Sequence, residues 1–248
     1  MVDQARDLDD FDSLQPMIFT YASVKRATSN FAEVNQVGQG SFGEGKLSNG
    51  EVVAIKRLAR NSGQGLDQFK NEVMLLAKLH HKNLVKLIGF CMSKTERVLI
   101  YVSLPNSSLD HILFGPRQAS LGWESRFRII IGVANAVLYL HEDSRFKIIQ
   151  RDLKPSNILL DHQLNPKVAD LGLARLFNDD QSQSDIKGIV GTPGYMAPEY
   201  ARQGKISTKS DVYSLGIMIL EVVTGQRNGF SDQQPDEQGL IPRMSNLT

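Results

Sequence analysis

Gln150-Arg151-Asp152-Leu153-Lys154-Pro155-Ser156-Asn157, with Asp170-Leu171-Gly172 after it, is the stretch that decides how this chain reads. Two acids, a lysine and a carboxamide at these spacings can hold a metal-bound phosphoryl group. Phosphoryl transfer asks a protein for one carboxylate to accept the incoming hydroxyl's proton and for oxygen ligands to a Mg²⁺ that bridges nucleotide phosphates. Asp152 suits the first role and Asn157 and Asp170 the second, because Mg²⁺ needs few protein oxygens when ATP and water supply the rest. Lys154, two residues from the base, can neutralise charge on the transferred group. Taken alone, the same residues also describe a solvated turn between apolar runs.

Order along the chain separates the two readings. Upstream lies Gly38-Gln39-Gly40-Ser41-Phe42-Gly43, in which glycines let a hairpin backbone approach and donate to phosphates, although the same composition makes an ordinary surface turn. Val52-Val53-Ala54-Ile55-Lys56 follows, a β-branched strand ending in a lysine. Then comes a helix-period segment with Leu66, Phe69, Val73 and Leu76, and Glu72 falls on its apolar face. A carboxylate there is costly unless paired, and Lys56 is the natural partner; the alternative is a boundary Glu reaching solvent. Beyond Asp170 stand Gly191-Thr192-Pro193-Gly194-Tyr195-Met196-Ala197-Pro198-Glu199 and Ser207-Thr208-Lys209-Ser210-Asp211-Val212-Tyr213-Ser214.

Glycine loop, strand lysine, helix glutamate, base, metal aspartate and Ala-Pro-Glu stand in the protein-kinase order, and the chain resembles that family over roughly residues 20 to 227. The form of the catalytic loop resembles the serine/threonine version. Phe31-Ala32-Glu33-Val34-Asn35, Phe69-Lys70-Asn71-Glu72-Val73, Leu140-His141-Glu142-Asp143-Ser144 and Lys209-Ser210-Asp211-Val212-Tyr213-Ser214 resemble plant receptor-like kinases, the cysteine-rich group above all. The resemblance implies an α+β, two-lobed fold with a small β-rich N-lobe and a mainly helical C-lobe lacking its last helices. It implies that Gly38, Gly40 and Gly43 cover ATP, that Ala54 and Leu159 sandwich adenine, and that the backbones of Val102 and Leu104 meet the adenine edge. Tyr101 would guard the back of that pocket, and Lys56, fixed by Glu72, would hold the α- and β-phosphates.

A chain of 248 residues with 41% apolar and 22% charged residues can bury one substantial core or two small lobes. The net charge of +1 gives no electrostatic reason to expect nucleic acid. The single Cys91 excludes an internal disulfide and suits a reducing compartment, as a buried thiol rather than a reactive one. The longest apolar stretch, Ile129 to Leu140, falls well short of the roughly 20 residues of a membrane span, and Met1 to Asp12 is acidic where a signal peptide is basic and then apolar. The expected organisation is a polar leader over residues 1–17, an N-lobe over 18–103, a partial C-lobe over 104–227 and a divergent polar tail over 228–248. Arg126 to His141 and Asp211 to Thr224 read as helices of the second lobe, the latter buried nearly all round. Thr208-Lys209-Ser210-Asp211 fits a capping box; by resemblance, Asp211 would also bond the catalytic-loop backbone.

Three departures from the family pattern stand out. Only thirteen steps separate Gly43 from Lys56, where receptor-like kinases run about three residues longer, and losing an odd number of strand residues reverses the inward side unless a bulge or a tighter hairpin absorbs it. Gln150 replaces the usual histidine and lacks its ring. After Arg227 the later helices have no counterpart, so Glu199, which in the family pairs with an arginine from them, is expected unpaired. The expected function is that of a serine/threonine kinase using ATP and Mg²⁺ on a protein substrate. Arg151 would bind a phosphorylated activation segment, in which Ser182 and Ser184 are either acceptors or solvated loop and Thr192 positions substrate. The alternative is an impaired, kinase-like binding module or shortened competitor of a receptor kinase. Neither reading involves nucleic acid or membrane insertion. Both fit a cytoplasmic protein that associates with receptor kinases at the inner face of the plasma membrane.

Overall fold

Four antiparallel strands organise the first of two compact units, which comprises Met1–His80 and Val85–Leu104. They are β1 (Phe42–Lys46), β2 (Val52–Leu58), β3 (Leu87–Met92) and β4 (Arg97–Val102), in the order β1-β2-β4-β3. The computed structural model describes residues 18–32, 42–58, 63–93, 96–116, 121–177, 184–185 and 188–229. Gly38, Gly40, Ser182, the leader over 1–17 and the tail from residue 230 lie outside them.

Strand alternation gives this sheet two different faces. Val53, Ile55, Cys91, Val98 and Ile100 turn to one side and close over Val24 of helix α1 (Tyr21–Ala27), which Thr20 caps by accepting the Ser23 N–H at 3.1 Å. Ala54, Lys56, Leu99 and Tyr101 alternate with them, so they turn to the other side. There helix α2 (Gly63–Lys78) packs on β3 and β4, with Phe69 set edge-on against Phe90 at 5.9 Å between ring centres. Two opposed apolar layers thus hold the sheet. One of them carries a lysine and a tyrosine toward a helix.

The β1–β2 hairpin runs in unbroken register from Phe42↔Lys56 to Lys46↔Val52. Its turn is closed by the Leu47 N–H to Glu51 and the Gly50 N–H to Leu47, with Gly50 at φ 87°, where a side chain would be strained. Gly45 is buried and Leu47 packs on the apolar cluster, while Glu44 and Lys46 face outward. The short connection therefore preserves the alternation without a bulge. Cys91, 2% exposed on β3, has its thiol pushed up from the ordinary range by burial.

The second unit comprises His81–Leu84 and Pro105–Thr248. Its helices are α3 (Leu109–Leu113), α4 (Trp123–Leu138), α5 (Pro198–Gln203) and α6 (Thr208–Thr224), and a single π-helical turn, Tyr139–Asp143, extends α4. Its strands form two-residue to three-residue antiparallel pairs: β5 (Lys147–Ile149) with β8 (Arg175–Phe177), β6 (Ile158–Leu160) with β7 (Pro166–Val168), and β9 (Ser184–Asp185) with β10 (Lys205–Ile206). Such short ladders rely on their surroundings. Ile149, Phe177, Ala197, Tyr200 and Ile206 supply one such core. Gly132 lets α4 approach β7, since a Cβ there would lie 2.4 Å from Pro166 Cγ.

Two expectations change here. The box that caps α6 is built by Ser207 and Ser210, one residue earlier than the sequence suggests, which frees Asp211 for the loop. Nor is α6 buried all round: Ile217, Met218 and Val222 are inside, whereas Val212 is 55% and Val223 46% exposed. Among the described residues no helix is long and apolar enough to cross a membrane.

Candidate active site

Strand period and helix period meet at Lys56. In β2 and β4 the pairs Ala54↔Tyr101 and Lys56↔Leu99 put Lys56 and Tyr101 on the face that receives α2, three residues after whose Phe69 comes Glu72. Lys56 Nζ lies 3.1 Å from Glu72 Oε2, and the Tyr101 hydroxyl donates to Oε1 at 2.7 Å. All three are buried, Glu72 to 1% exposure, so the carboxylate meets a cation and a donor where an unpaired one would be prohibitive. The boundary-Glu alternative does not hold, and Tyr101 has a use beyond the one the resemblance implies: it orients Glu72. Ala54 is half-buried beside it, and Gly43 pairs with Ile55.

In the second unit the loop after β5 is fixed from below. Asp211, 1% exposed, accepts the Gln150 N–H at 2.7 Å and the Arg151 N–H at 2.9 Å, with His141 Nε2 a further 2.9 Å contact. These bonds hold Arg151 at φ 72°, a left-handed conformation that costs a non-glycine residue about 1–2 kcal/mol. The turn that follows aims Asp152 at three neighbours. Asn157 Nδ2 donates to its Oδ2 at 2.9 Å, Lys154 Nζ lies 2.9 Å from the same oxygen, and the Thr192 hydroxyl donates to Oδ1 at 2.5 Å. Lys154 also donates to Thr192 at 2.7 Å. Asp152 is thus a buried carboxylate with donors on both oxygens.

Asp170 follows β7, also in a left-handed conformation, φ 59°, and the Ala169 N–H donates to the Asn157 carbonyl at 2.8 Å. That bond extends the β6–β7 pairing and sets the Asn157 and Asp170 segments side by side. Leu159 is half-buried in β6, and the backbone of Ser108 bridges to it. Leu104, half-buried, ends the first unit after β4. Arg151 donates to the Tyr200 hydroxyl at 2.8 Å and to the Leu173 carbonyl, while Tyr200 spans both backbone groups of Val190.

A family model described as protein kinase domain matches residues 31–245. The chain belongs to the protein kinase family. It is 54% identical over 239 residues to cysteine-rich receptor-like protein kinase 10 of Arabidopsis thaliana, an alignment covering 95% of this chain and 35% of that protein. Cysteine-rich receptor-like protein kinase 34 of the same plant is 51% identical over 224 residues, 89% of this chain and 34% of its own. The chain spans about a third of the length of the curated relatives it matches.

The kinase fold brings in residues that the sequence reading passed over. Glu221 sits inside α6 and accepts from the Tyr195 hydroxyl at 2.9 Å and from the Asn228 N–H at 2.8 Å. Asn228 Nδ2 in turn holds the Gly194 carbonyl at 2.9 Å and Ser214 Oγ donates to the Tyr195 carbonyl at 2.6 Å, so the Gly191–Glu199 segment is tied to α6 and to the residues just after it. Burial raises the Glu221 carboxyl above its ordinary range, against the Asn228 and Tyr195 bonds, and raises the Tyr195 phenol likewise. The available signal was an acid beyond the first turn of α6, set in the apolar run of residues 217–223. Glu199, half-buried in the first turn of α5, has the helix N-terminus to favour it and forms no ion pair among the described residues.

The residues present suit a nucleotide-borne Mg²⁺. Among the described residues no three His, Cys, Asp or Glu side chains gather as a metal nest, and the candidate hard donors are the Asp170 carboxylate and the Asn157 amide carbonyl. Asn157 spends its nitrogen on Asp152, which leaves its carbonyl oxygen as the group to face a cation.

Proposed function

We propose that this kinase domain transfers the γ-phosphoryl group of ATP to serine or threonine hydroxyls of a protein. The observation that carries the proposal is the Asp152 carboxylate, buried, held on both oxygens and flanked by Lys154 and Thr192. A fixed carboxylate within reach of an incoming hydroxyl orients it and takes its proton, a contribution of about 10²- to 10⁴-fold. The bond that Asp152 accepts from the Thr192 hydroxyl supports this role. Lys154 offsets negative charge on the group in transfer.

Asn157 and Asp170 are the residues proposed to hold Mg²⁺, which would supply charge neutralisation on the phosphates. Lys56, oriented by Glu72 and Tyr101, is proposed to bind the α- and β-phosphates, and Gly38, Gly40 and Gly43 are proposed as nucleotide-binding residues. Ala54, Tyr101, Leu104 and Leu159 are proposed to enclose adenine. Arg151 is proposed to receive a phosphate on the activation segment, exchanging Tyr200 for a stronger, charged acceptor. The likeness to receptor-like relatives supports association with receptor kinases at the inner face of the plasma membrane.

Purified chain, radiolabelled ATP, Mg²⁺ and a basic protein substrate test the proposal. Incorporation that falls to background in Asp170→Asn supports it; equal incorporation by the two proteins refutes it.

A further inference from the structure

We propose that Gln150 is a positioning residue whose carboxamide couples the base to the metal-binding aspartate, an inference that rests on the kinase reading of Asp152 and Asp170. Its side chain is completely buried, at 0% exposure, between the two segments it bonds. Oε1 accepts the Asp152 N–H at 2.9 Å, and Nε2 donates to the Asp170 carbonyl at 3.1 Å. The main-chain N–H of Gln150 is meanwhile committed to Asp211 at 2.7 Å, so the residue cannot drift as a whole.

The two ends of one amide plane act together. The oxygen and nitrogen of a carboxamide are fixed relative to each other, and a rotation that improves one bond degrades the other. Gln150 therefore ties the main-chain position of Asp170 directly to that of Asp152, eighteen positions earlier in the chain, beside the link that runs through Asn157 and Ala169. The need for such a device is visible in the backbone: Arg151 at φ 72° and Asp170 at φ 59° both occupy conformations that non-glycine residues keep only when held. Asp211 holds the first of them. Gln150 holds the second.

The chemistry of the amide separates this role from simple filling of space. Methionine has the same reach and lacks both bonds. Asparagine has the same amide and stops one methylene short. Histidine offers a ring N–H that can still meet the Asp170 carbonyl. A spacer would tolerate methionine best; a coupling residue would tolerate histidine best.

The test uses the full chain with a non-hydrolysable ATP analogue, its thermal midpoint followed as Mg²⁺ is titrated, alongside kcat and KM for the protein substrate. Gln150→Met is expected to raise the Mg²⁺ concentration for half-maximal stabilisation by about tenfold or more, the size usual for a group that orients a metal ligand. Its kcat should fall while KM for the protein substrate holds, and Gln150→His should bring the Mg²⁺ requirement back toward wild type. Gln150→Asn carries the same prediction should Gln150→Met fail to fold. An unchanged Mg²⁺ requirement in these variants, beside an Asp170→Asn protein that has lost it, would overturn the proposal. An Asp170→Asn protein with undiminished Mg²⁺ dependence would remove the metal assignment itself, and the proposal with it.

Discussion

Replacing Asp211 by asparagine should loosen the catalytic loop before anything else. The carboxylate takes the Gln150 N–H, the Arg151 N–H and His141 Nε2 at 2.7–2.9 Å from a position 1% exposed. Each hydrogen bond to a charged group contributes about 1.5–3 kcal/mol, so the set is worth roughly 4–9 kcal/mol, comparable to the whole stability of a domain, about 5–15 kcal/mol. Asparagine keeps one carbonyl oxygen and turns an NH₂ toward groups that are themselves donors. We expect a loss of about 2–5 kcal/mol, part of it returned when Arg151 leaves its left-handed conformation. Hydrogen exchange at the Gln150 and Arg151 amides reads this locally, and protection there should fall on the order of 10²- to 10³-fold. Urea unfolding followed by circular dichroism gives the global figure; fluorescence would serve poorly, because the lone Trp123 is already 62% exposed. Unchanged protection at both amides with a loss under about 1 kcal/mol would refute the reasoning.

Three further outcomes follow from buried contacts. Tyr101→Phe leaves Glu72 Oε1 without its tyrosine donor, which should cost about 1–3 kcal/mol, a thermal midpoint lower by several degrees, and a higher KM for ATP. Gly132→Ala drives a methyl to 2.4 Å from Pro166 Cγ and 2.9 Å from Asn83 Nδ2, and denaturant melts should show a loss of about 1–3 kcal/mol from overpacking. Glu221 binds its proton more tightly folded than unfolded, so its contribution is complete below the ordinary carboxylate range and is lost as pH rises through the raised folded value. Glu221→Gln, which retains an acceptor for Asn228, should flatten that decline in melts taken across mildly acidic to neutral pH; a parallel slope would contradict it.

Much of this was legible because the patterns concerned are local. The alternation in Val52–Lys56 and the helix period around Phe69 suffice to turn Lys56 and Glu72 toward each other, and the loop motif places Asp152 and Asn157 within one turn. What was not legible depends on pairing at a distance. Nothing in the sequence says that Tyr101 stands opposite Ala54 and so reaches Glu72, or that Tyr195 and Asn228 converge on Glu221. The cap of α6 lies one residue earlier than the sequence suggests because Ser207 and Thr208 both carry a hydroxyl able to cap, and the chain geometry selects Ser207. By residue type Gln150 is a replacement for histidine that lacks its ring. Its two bonds depend on where Asp170 lies, which composition does not encode.

The single cysteine has an experimental consequence. Cys91 is sealed between β4 and the apolar cluster, and no other thiol competes for a reagent. A thiol-directed label therefore reacts only after the apolar layer over that face has opened or β3 has come away, and the rate of its uptake is a clock for opening of the first unit. Run with and without nucleotide, the same clock would report how much the first unit is tightened by what it binds, using the chain's own chemistry as the probe.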